Sequence, residues 1–221
     1  MGKTIKVTGR GNISVHPDTT RLLITLNETF SSYDETVKES AKKKKALTKE
    51  LEGLGFAKSD LKTLNFRIEP DYQDYHDENG RWQQQLVGYR YVHEMKLEFP
   101  IDNDRLGKLF YVLAHCPGAP EFRVQATIAD PDPVKNQLLA KAVHDAKEKA
   151  AILAEAGGVV LKDIMTIDYS WGEIELVSRL YNSEMSIDGG KASAKMGSYD
   201  LDLEADDIPA TDTVTVVWEI A

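Results

Sequence analysis

One group of potential ligands in this chain is a short acidic stretch that ends in an Asn-Gly pair. It holds four carboxylates and one imidazole, on Asp71, Asp74, His76, Asp77 and Glu78. Hard carboxylate oxygens are the ligands that calcium prefers. The register of an EF-hand loop is not met, because counting back from the glycine puts a tyrosine where the first aspartate must stand. A solvated hairpin tip therefore explains these residues better than a metal site.

A second acidic cluster lies nearer the C-terminus, between Asp200 and Asp207. Its crowded like charges are more typical of a solvated loop than of an ion site. The cluster belongs to residues 173–209, in which no periodic pattern of apolar residues continues. Long stretches without regular structure are uncommon inside compact domains and are usually functional or mobile. The sequence thus predicts a long mobile loop over 173–209.

No arrangement for nucleophilic or metal catalysis is visible in the sequence. The five histidines lack a ligand spacing such as HxxxH, and there is no CxxC pair and no GxSxG motif. His93 lies on the apolar side of a predicted strand, which favours a buried structural histidine. Cys116 ends a short predicted helix, where the helix dipole disfavours a thiolate. We therefore predict no catalytic residue, no cofactor-binding residue and no metal ligand, and a protein that is not an enzyme.

The chemistry that the sequence does offer is an aromatic surface on a predicted hairpin. Its candidate interface residues are Tyr75, Trp82, Tyr89 and Tyr91. Aromatic residues are enriched at protein interfaces and carry much of their binding energy. Ordinary cross-strand packing is the alternative explanation for the same residues. We expect Tyr75 and Trp82, which flank the hairpin tip, to act as anchors of self-association.

Two periodicities predict the elements that position this surface. Alternation of apolar and polar residues predicts strands, and apolar residues three and four apart predict helices. The predicted strands form two antiparallel hairpins, an opening one that turns at Pro17 and Asp18 and a second one that turns at Asn79 and Gly80. Two long helices and one short helix are predicted, at about 33–54, 133–156 and 102–116.

Glycines interrupt these patterns at informative places. Gly9 and Gly11 fall on the apolar side of the first strand, which predicts a bulge or a close approach of another backbone. Further along, residues 55–64 and 158–167 share a pattern of glycine, Asp, an apolar residue, Thr and a strand, at a constant offset. This pattern predicts an internal repeat of two helix–strand units.

Length and charge narrow the function classes. The chain has 221 residues and a formal net charge of −9. An acidic chain is a poor partner for nucleic acid and for anionic membrane surfaces. The sequence holds no apolar stretch of the roughly 20 residues that span a membrane, and no signal peptide is visible. We expect a cytoplasmic protein, with the periplasm or secretion as the alternative if a leader was removed.

The order of several short motifs resembles the SIMPL domain family. The chain opens with VTGRGNISVHPD, continues with a long helix whose alanines are regularly spaced, and closes with the strand VTVVWEI. Thr63, Ile68, Pro70, Tyr72 and Gly88 also fall where such proteins keep similar residues. Bacterial relatives include a periplasmic immunogenic protein and an oxidative-stress defence protein, and a mammalian relative binds a kinase of inflammatory signalling. The resemblance implies helices against antiparallel sheet and a tendency to form ring-like or channel-like oligomers.

Together these observations predict an α+β fold in one domain over residues 1–221. It contains two similar helix–strand units, at about 33–70 and 132–170, with long antiparallel hairpins packed against the two long helices and the short helix. The predicted function is non-enzymatic binding or assembly through self-association into a homo-oligomer, or through another protein. A stress-related role is implied by the resemblance. The alternative is an enzyme or a metal-binding or ligand-binding protein with a site between the two helix–strand units.

Overall fold

Helices and antiparallel strands alternate along the chain. The structure is a computed structural model that describes residues 2–76, 80–169, 174, 176–178, 198–199, 201 and 203–221. Its elements are β1 (Lys3–Val15), β2 (Thr19–Phe30), α1 (Tyr33–Gly53), β3 (Lys62–His76), β4 (Trp82–Pro100), α2 (Asn103–His115), β5 (Glu121–Thr127), α3 (Asp132–Ala156), β6 (Leu161–Asp168), β7 (Val177–Ser178) and β8 (Ile208–Ile220). The predicted α+β class is confirmed. No helix in these described ranges is long and apolar enough to cross a membrane.

The chain divides into two compact units. Unit 1 consists of Met1–Asp18, Thr127–Ser178 and Ala205–Ala221, and unit 2 consists of Thr19–Ala126 and Arg179–Glu204. Unit 1 contains α3 followed by β6, and unit 2 contains α1 followed by β3. Each unit therefore holds one of the two helix–strand segments that the repeat predicts.

In unit 1, α3 packs on one face of an antiparallel sheet with the order β1–β8–β6. The helix buries every fourth residue as a narrow stripe of mainly small side chains, at Leu138, Ala142, Ala146, Ala150 and Ala154. A Cβ atom on Gly9 would lie only 2.0 Å from the backbone oxygen of Ala142, and one on Gly11 only 2.1 Å from that of Leu138. The predicted close approach at these two glycines is thus confirmed.

The prediction that β1 and β2 form an opening hairpin is wrong. β1 pairs along its whole length with β8, and β2 pairs with β4. The turn after β1 is held within unit 1, because the backbone N–H of Asp18 donates to the carbonyl of Thr127 (3.1 Å). The Asp18 carboxylate also accepts from the N–H of Ala129 (2.8 Å). The turn is therefore hydrogen-bonded to the start of the segment that leads into α3, and β2 begins a different unit.

In unit 2, α1 and α2 lie on one face of the strands β3–β4–β2–β5. Its core consists of apolar residues from β2, β4 and both helices, with Leu22, Ile24, Leu26, Leu47, Met95, Leu97, Leu106, Leu109 and Leu113 fully buried. β3 and β4 form the second predicted hairpin, which is confirmed. Gly80 has φ +72°, as the predicted turn requires, while Asn79 lies outside the described residues.

The buried face of α1 differs from the prediction at its N-terminal half. Thr36 and Ser40 are buried there, whereas Tyr33 and Val37, which the apolar spacing selects, are exposed. The hydroxyl of Thr36 lies 3.1 Å from the carbonyl oxygen of Tyr89. The Ser40 hydroxyl donates to the carbonyl of Val37 (2.9 Å). Small hydroxyl residues are tolerated here because each finds a backbone acceptor.

The long helix α3 departs from prediction at two positions. It begins at Asp132, so Pro133 is its second residue instead of its first. The apolar spacing of the helix predicts that Leu153 is buried, but Leu153 is exposed and Ala154 is buried in its place. The buried residues recur strictly every four positions, which places residue 154 and not residue 153 under the sheet-facing side.

The two helix–strand segments end their helices in the same way. In α1 the N–H of Phe56 donates to the carbonyl of Leu51, and in α3 the N–H of Val159 donates to that of Ala154. The intervening glycines, Gly55 and Gly158, have φ +83° and +65°. This is the Schellman arrangement, in which a residue with positive φ lets the last carbonyls of the helix find donors.

Parts of the segment 173–209 pack against the units. Leu176 is buried in unit 1, where its carbonyl accepts from the Thr127 hydroxyl (2.7 Å). Asp207 accepts from the Ser14 hydroxyl, and its carboxylate lies 3.1 Å from Nδ1 of His16. Asp200 and Asp202, like most of the predicted loop, lie outside the described residues. The loop's mobility stays a prediction.

Candidate interaction surface

The outer half of the β3–β4 hairpin is a two-stranded ribbon. β2 is hydrogen-bonded to β4 only as far as the pair Phe30 and Tyr89. Beyond that point residues 72–76 of β3 pair with residues 82–86 of β4, and in the described part of the chain no third strand joins them. We call residues 71–76 and 82–87 the arm.

The base of the arm is defined by a close backbone contact. A Cβ atom on Gly88 would lie 2.2 Å from the carbonyl oxygen of Phe30, so only glycine allows the last residue of β2 to lie so close. Opposite Gly88 the strand pairing shifts by one residue between Asp71 and Tyr72. The Asp71 carboxylate accepts from the hydroxyl of Thr29 (2.6 Å). These contacts attach the arm to the end of β2.

The arm exposes large apolar side chains on both faces. Between 44% and 70% of the surface of each of them is accessible, and they are Tyr72, Tyr75, Trp82, Leu86 and Val87. A two-stranded ribbon is at best marginally stable alone in water. Exposed apolar groups that form one continuous patch mark binding surfaces more often than scattered ones do.

The two faces of the arm differ in chemistry. On one face Trp82 stacks against His76, with ring centroids 4.0 Å apart, and Tyr72 lies opposite Leu86. On the other face Tyr75 lies directly opposite Gln83. Tyr75 and Trp82 therefore project from opposite faces, since neighbouring positions along a strand alternate.

The structure separates the four predicted interface residues. Tyr75 and Trp82 lie on the arm, and Tyr89 is partly buried at its base, where its ring meets the edge of Tyr33. Tyr91 is only 1% exposed and stacks parallel to Phe30 in the core of unit 2. Tyr91 therefore stabilises the core and does not belong to the exposed surface.

Three exposed apolar residues of the arm were missing from the predicted interface set, Tyr72, Leu86 and Val87. Tyr72 and Leu86 lie opposite each other on the same face as Trp82. Counting outward from a two-residue Asn-Gly turn would pair Tyr72 with Val87, one residue away from its observed partner Leu86. Cross-strand pairs are the natural unit of a sheet surface, but the turn signal alone does not give this pair.

The structure describes the acidic tip of the hairpin only in part. Asp74 accepts a hydrogen bond from Gln84 across the arm (3.0 Å). Asp77 and Glu78 lie outside the described residues. Within the described ranges, no three His, Cys, Asp or Glu side chains come together as they would around a metal ion.

His93 is a buried histidine with a polar partner, as its strand position predicts. Its Nε2 atom lies 2.9 Å from the hydroxyl of Thr63, and its ring meets the edge of Phe66. Burial lowers the pKa of His93 below the ordinary value of 6.5, and the Lys44 ammonium lowers it further. The ring is therefore neutral over a wider pH range in the folded chain than in the unfolded chain.

This neutral histidine predicts a loss of stability in acid. Below pH 6.5 the unfolded chain takes up a proton on His93, whereas the folded chain does so only at lower pH. The free energy of unfolding should fall as the pH drops from 6.5 towards the folded-state pKa. Urea unfolding between about pH 7.5 and about pH 5 tests this. His93→Gln should flatten the slope, with the exposed His144→Gln as control; an unchanged slope in His93→Gln would contradict the assignment.

Cys116 is a buried thiol at the end of α2. Burial raises the pKa of Cys116, and the nearby Glu50 carboxylate raises it further. Both effects keep the thiol protonated, and a protonated thiol is a poor nucleophile.

An open cavity of about 370 Å³ lies on the strands of unit 2. Side chains of both signs line it, among them Glu94 and Arg123, together with the apolar Leu23 and Leu64. The Glu121 carboxylate at its margin accepts from the Asn27 amide (3.0 Å). Ligand sites are usually more enclosed and more apolar than this, so the arm is the stronger candidate surface.

Comparison with known proteins gives a family without an activity. A family model named SIMPL and described as a protein of unknown function (DUF541) matches residues 5–218. The search of curated proteins gave no match. The matched range includes all of unit 2, most of unit 1, the glycines of β1 and the whole arm.

Proposed function

The chain belongs to the SIMPL family, a family of unknown function, and we propose that it is a non-enzymatic assembly protein that self-associates through its arm. The observation that carries the proposal is the arm's exposure of five large apolar side chains on a ribbon that has two strands in the described part of the chain. Burying them against another chain would remove apolar surface from water, which is the main favourable term in protein association.

Two features make the arm suited to this role. It is attached through Gly88 and Asp71 to the end of β2, so little freedom is lost when it binds. Its exposed residues include Tyr and Trp, which supply large contact areas at a low cost in side-chain entropy. A second copy of the chain is the partner we propose, and a different protein is the alternative.

Three further expectations about function accompany this proposal, and they concern catalysis, stress protection and cellular location. That the protein is not an enzyme stays a prediction, and the enzyme or ligand-binding alternative is its competitor. A role in stress protection follows only from the family resemblance. The cytoplasmic location stays a prediction of the sequence.

The test is the native mass of an arm variant. Tyr75→Ser combined with Trp82→Ser removes the two proposed anchors while leaving the strand pairing of the arm in place. At tens of micromolar, light scattering should show an oligomer for the unchanged chain and at least a twofold lower mass for the variant, because aromatic anchors dominate interface energy. Circular dichroism should be the same for both.

The matched control replaces two apolar residues that are exposed elsewhere in unit 2. Val37→Ser combined with Ile101→Ser changes similar exposed surface away from the arm and should leave the native mass unchanged. A monomeric unchanged chain, or an arm variant that keeps the full mass, would refute the proposal.

A further inference from the structure

Unit 1 carries a second exposed apolar surface, on and beside the edge strand β6. It consists of Val160, Ile164, Met165 and Ile167, each with between 50% and 66% of its surface accessible. We call these four residues the β6 surface. Large exposed apolar side chains on an edge strand are unusual in a monomeric protein, because such an edge can pair with a strand of another chain.

The position of β6 in its sheet explains why these side chains are exposed. Ile164 pairs with Trp218 and Ile167 pairs with Val216, so both isoleucines point to the side of the sheet on which α3 lies. Trp218 and Val216 are buried beneath α3, whereas the isoleucines one strand further out remain half exposed. The result is an apolar margin along one side of the sheet.

The backbone of β6 is also available along one side. β6 pairs with β8 only, and in the described residues no strand occupies its other edge. β3, the outer strand of the arm, likewise pairs with β4 only. Two open edges of this kind can hydrogen-bond to each other, and an added strand is a common mode of recognition.

From these observations we infer that the β6 surface of one chain binds the arm of a second chain. The inference rests on the proposed function and names the surface that receives the arm. The dimensions agree, because the six residues of each arm strand and the eight residues of β6 span about 20 Å and about 26 Å. Both surfaces are apolar in their side chains and open in their backbone.

The area available is sufficient for a specific interface. Because Tyr75 and Trp82 project from opposite faces of the arm, one contact takes up the side chains of one face. Tyr72, Trp82 and Leu86 with the four residues of the β6 surface, at on the order of 100 Å² each, bury about 700 Å² together. Paired backbone and flanking polar residues would raise the total to the roughly 1,000 Å² that a biological interface needs. Contacts of this kind cover the β6 surface as well as the arm, whereas arm-to-arm pairing would leave every β6 surface exposed.

The symmetry of the assembly follows from this pairing. The arm and the β6 surface are different surfaces of the chain, so the contact is heterologous. Repeated heterologous contacts close into a ring when the rotation between copies allows it, and otherwise form an open filament. Arm-to-arm contacts would instead give a twofold symmetric dimer.

A complementation experiment tests the inference. The arm variant (Tyr75→Ser with Trp82→Ser) keeps an intact β6 surface, and a β6 variant (Ile164→Ser with Met165→Ser) keeps an intact arm. Each alone should have the mass of one chain. An equimolar mixture should contain a complex of two chains that does not grow further, a twofold rise in native mass.

The possible outcomes distinguish the binding of the arm to the β6 surface from self-association through the arm in general. A monomeric unchanged chain overturns both. A β6 variant that keeps the full oligomer mass, while the arm variant loses it, overturns only the inference and indicates arm-to-arm pairing or another receiving surface. A mixture that stays monomeric also overturns the inference. If the β6 variant does not fold by circular dichroism, the single change Met165→Glu takes its place, and the same outcomes apply.

Discussion

Replacing Gly9 by alanine should lower the free energy of unfolding by at least about 3 kcal/mol, the upper range for overpacking a core. The added methyl group would lie 2.0 Å from the carbonyl oxygen of Ala142 and 2.4 Å from the backbone nitrogen of Ala146. Both are backbone atoms of α3, so no side chain can rotate away to make room. The helix must instead separate from β1 along the whole buried stripe.

Denaturant unfolding followed by circular dichroism measures this effect, and Gly53→Ala is the matched control. A Cβ atom on Gly53 would meet nothing within 4 Å at the end of α1. That change should be neutral or stabilising by up to about 1 kcal/mol, because alanine is the better helix former.

A second substitution separates the backbone clash from a side-chain clash. The Ala146 methyl lies 2.7 Å from the position of the added Cβ, so Ala146→Gly would relieve that contact alone. Because the closer neighbours are backbone atoms, Ala146→Gly should not rescue Gly9→Ala. Equal stability of Gly9→Ala and the unchanged chain would show that α3 and β1 are not packed as described.

Replacing Ala146 by leucine should lower the free energy of unfolding by about 3 kcal/mol, again through overpacking. Ala146 is fully buried in the middle of the α3 stripe, directly over β1. Three additional carbon atoms have no space there, because the strand presents a glycine at closest approach. For a chain of this size the change corresponds to a fall in melting temperature of about 6–12 °C.

The control for this substitution lies on the same helix. Ala151 is exposed, and Ala151→Leu introduces the same side chain with nearly the same helix propensity. Its effect should stay within about 0.5 kcal/mol, as for surface changes in general. A melting temperature that Ala146→Leu leaves unchanged would contradict the buried stripe.

The elements of this fold could be predicted from the sequence because they depend on neighbouring residues. The period of the apolar pattern predicted the β3–β4 hairpin and α3, and the glycines at 55 and 158 predicted the ends of the two long helices. At α1 the same method selected Tyr33 and Val37 for the core, where Thr36 and Ser40 are buried. Apolar spacing cannot find a buried hydroxyl whose hydrogen-bond acceptor lies on the same helix or on another strand.

The candidate surface was predictable only in part. An Asn-Gly turn flanked by Tyr75 and Trp82 indicates an exposed aromatic tip. Tyr91 is also aromatic and lies on the same strand as Trp82. It is nevertheless buried, because β2 and the helices cover that end of β4. The length of β4 that pairs with β2 depends on where β2 ends, which is at Phe30. No local sequence pattern predicts how far this pairing extends along β4.

The sequence by itself determined which residues alternate, where helices end, and that two glycines of β1 mark a bulge or a close approach of another backbone. Only the tertiary structure decided that a backbone approaches there and belongs to α3, that β1 pairs with β8 and not with β2, and that the arm and β6 surfaces stay exposed. The physical reason is the range of the interactions involved. Strand periodicity and helix capping act between residues a few positions apart, whereas strand pairing and burial join segments up to the full length of the chain apart. An alternating pattern therefore predicts which side chains share a face of a strand. Only the folded chain shows which segment packs against that face.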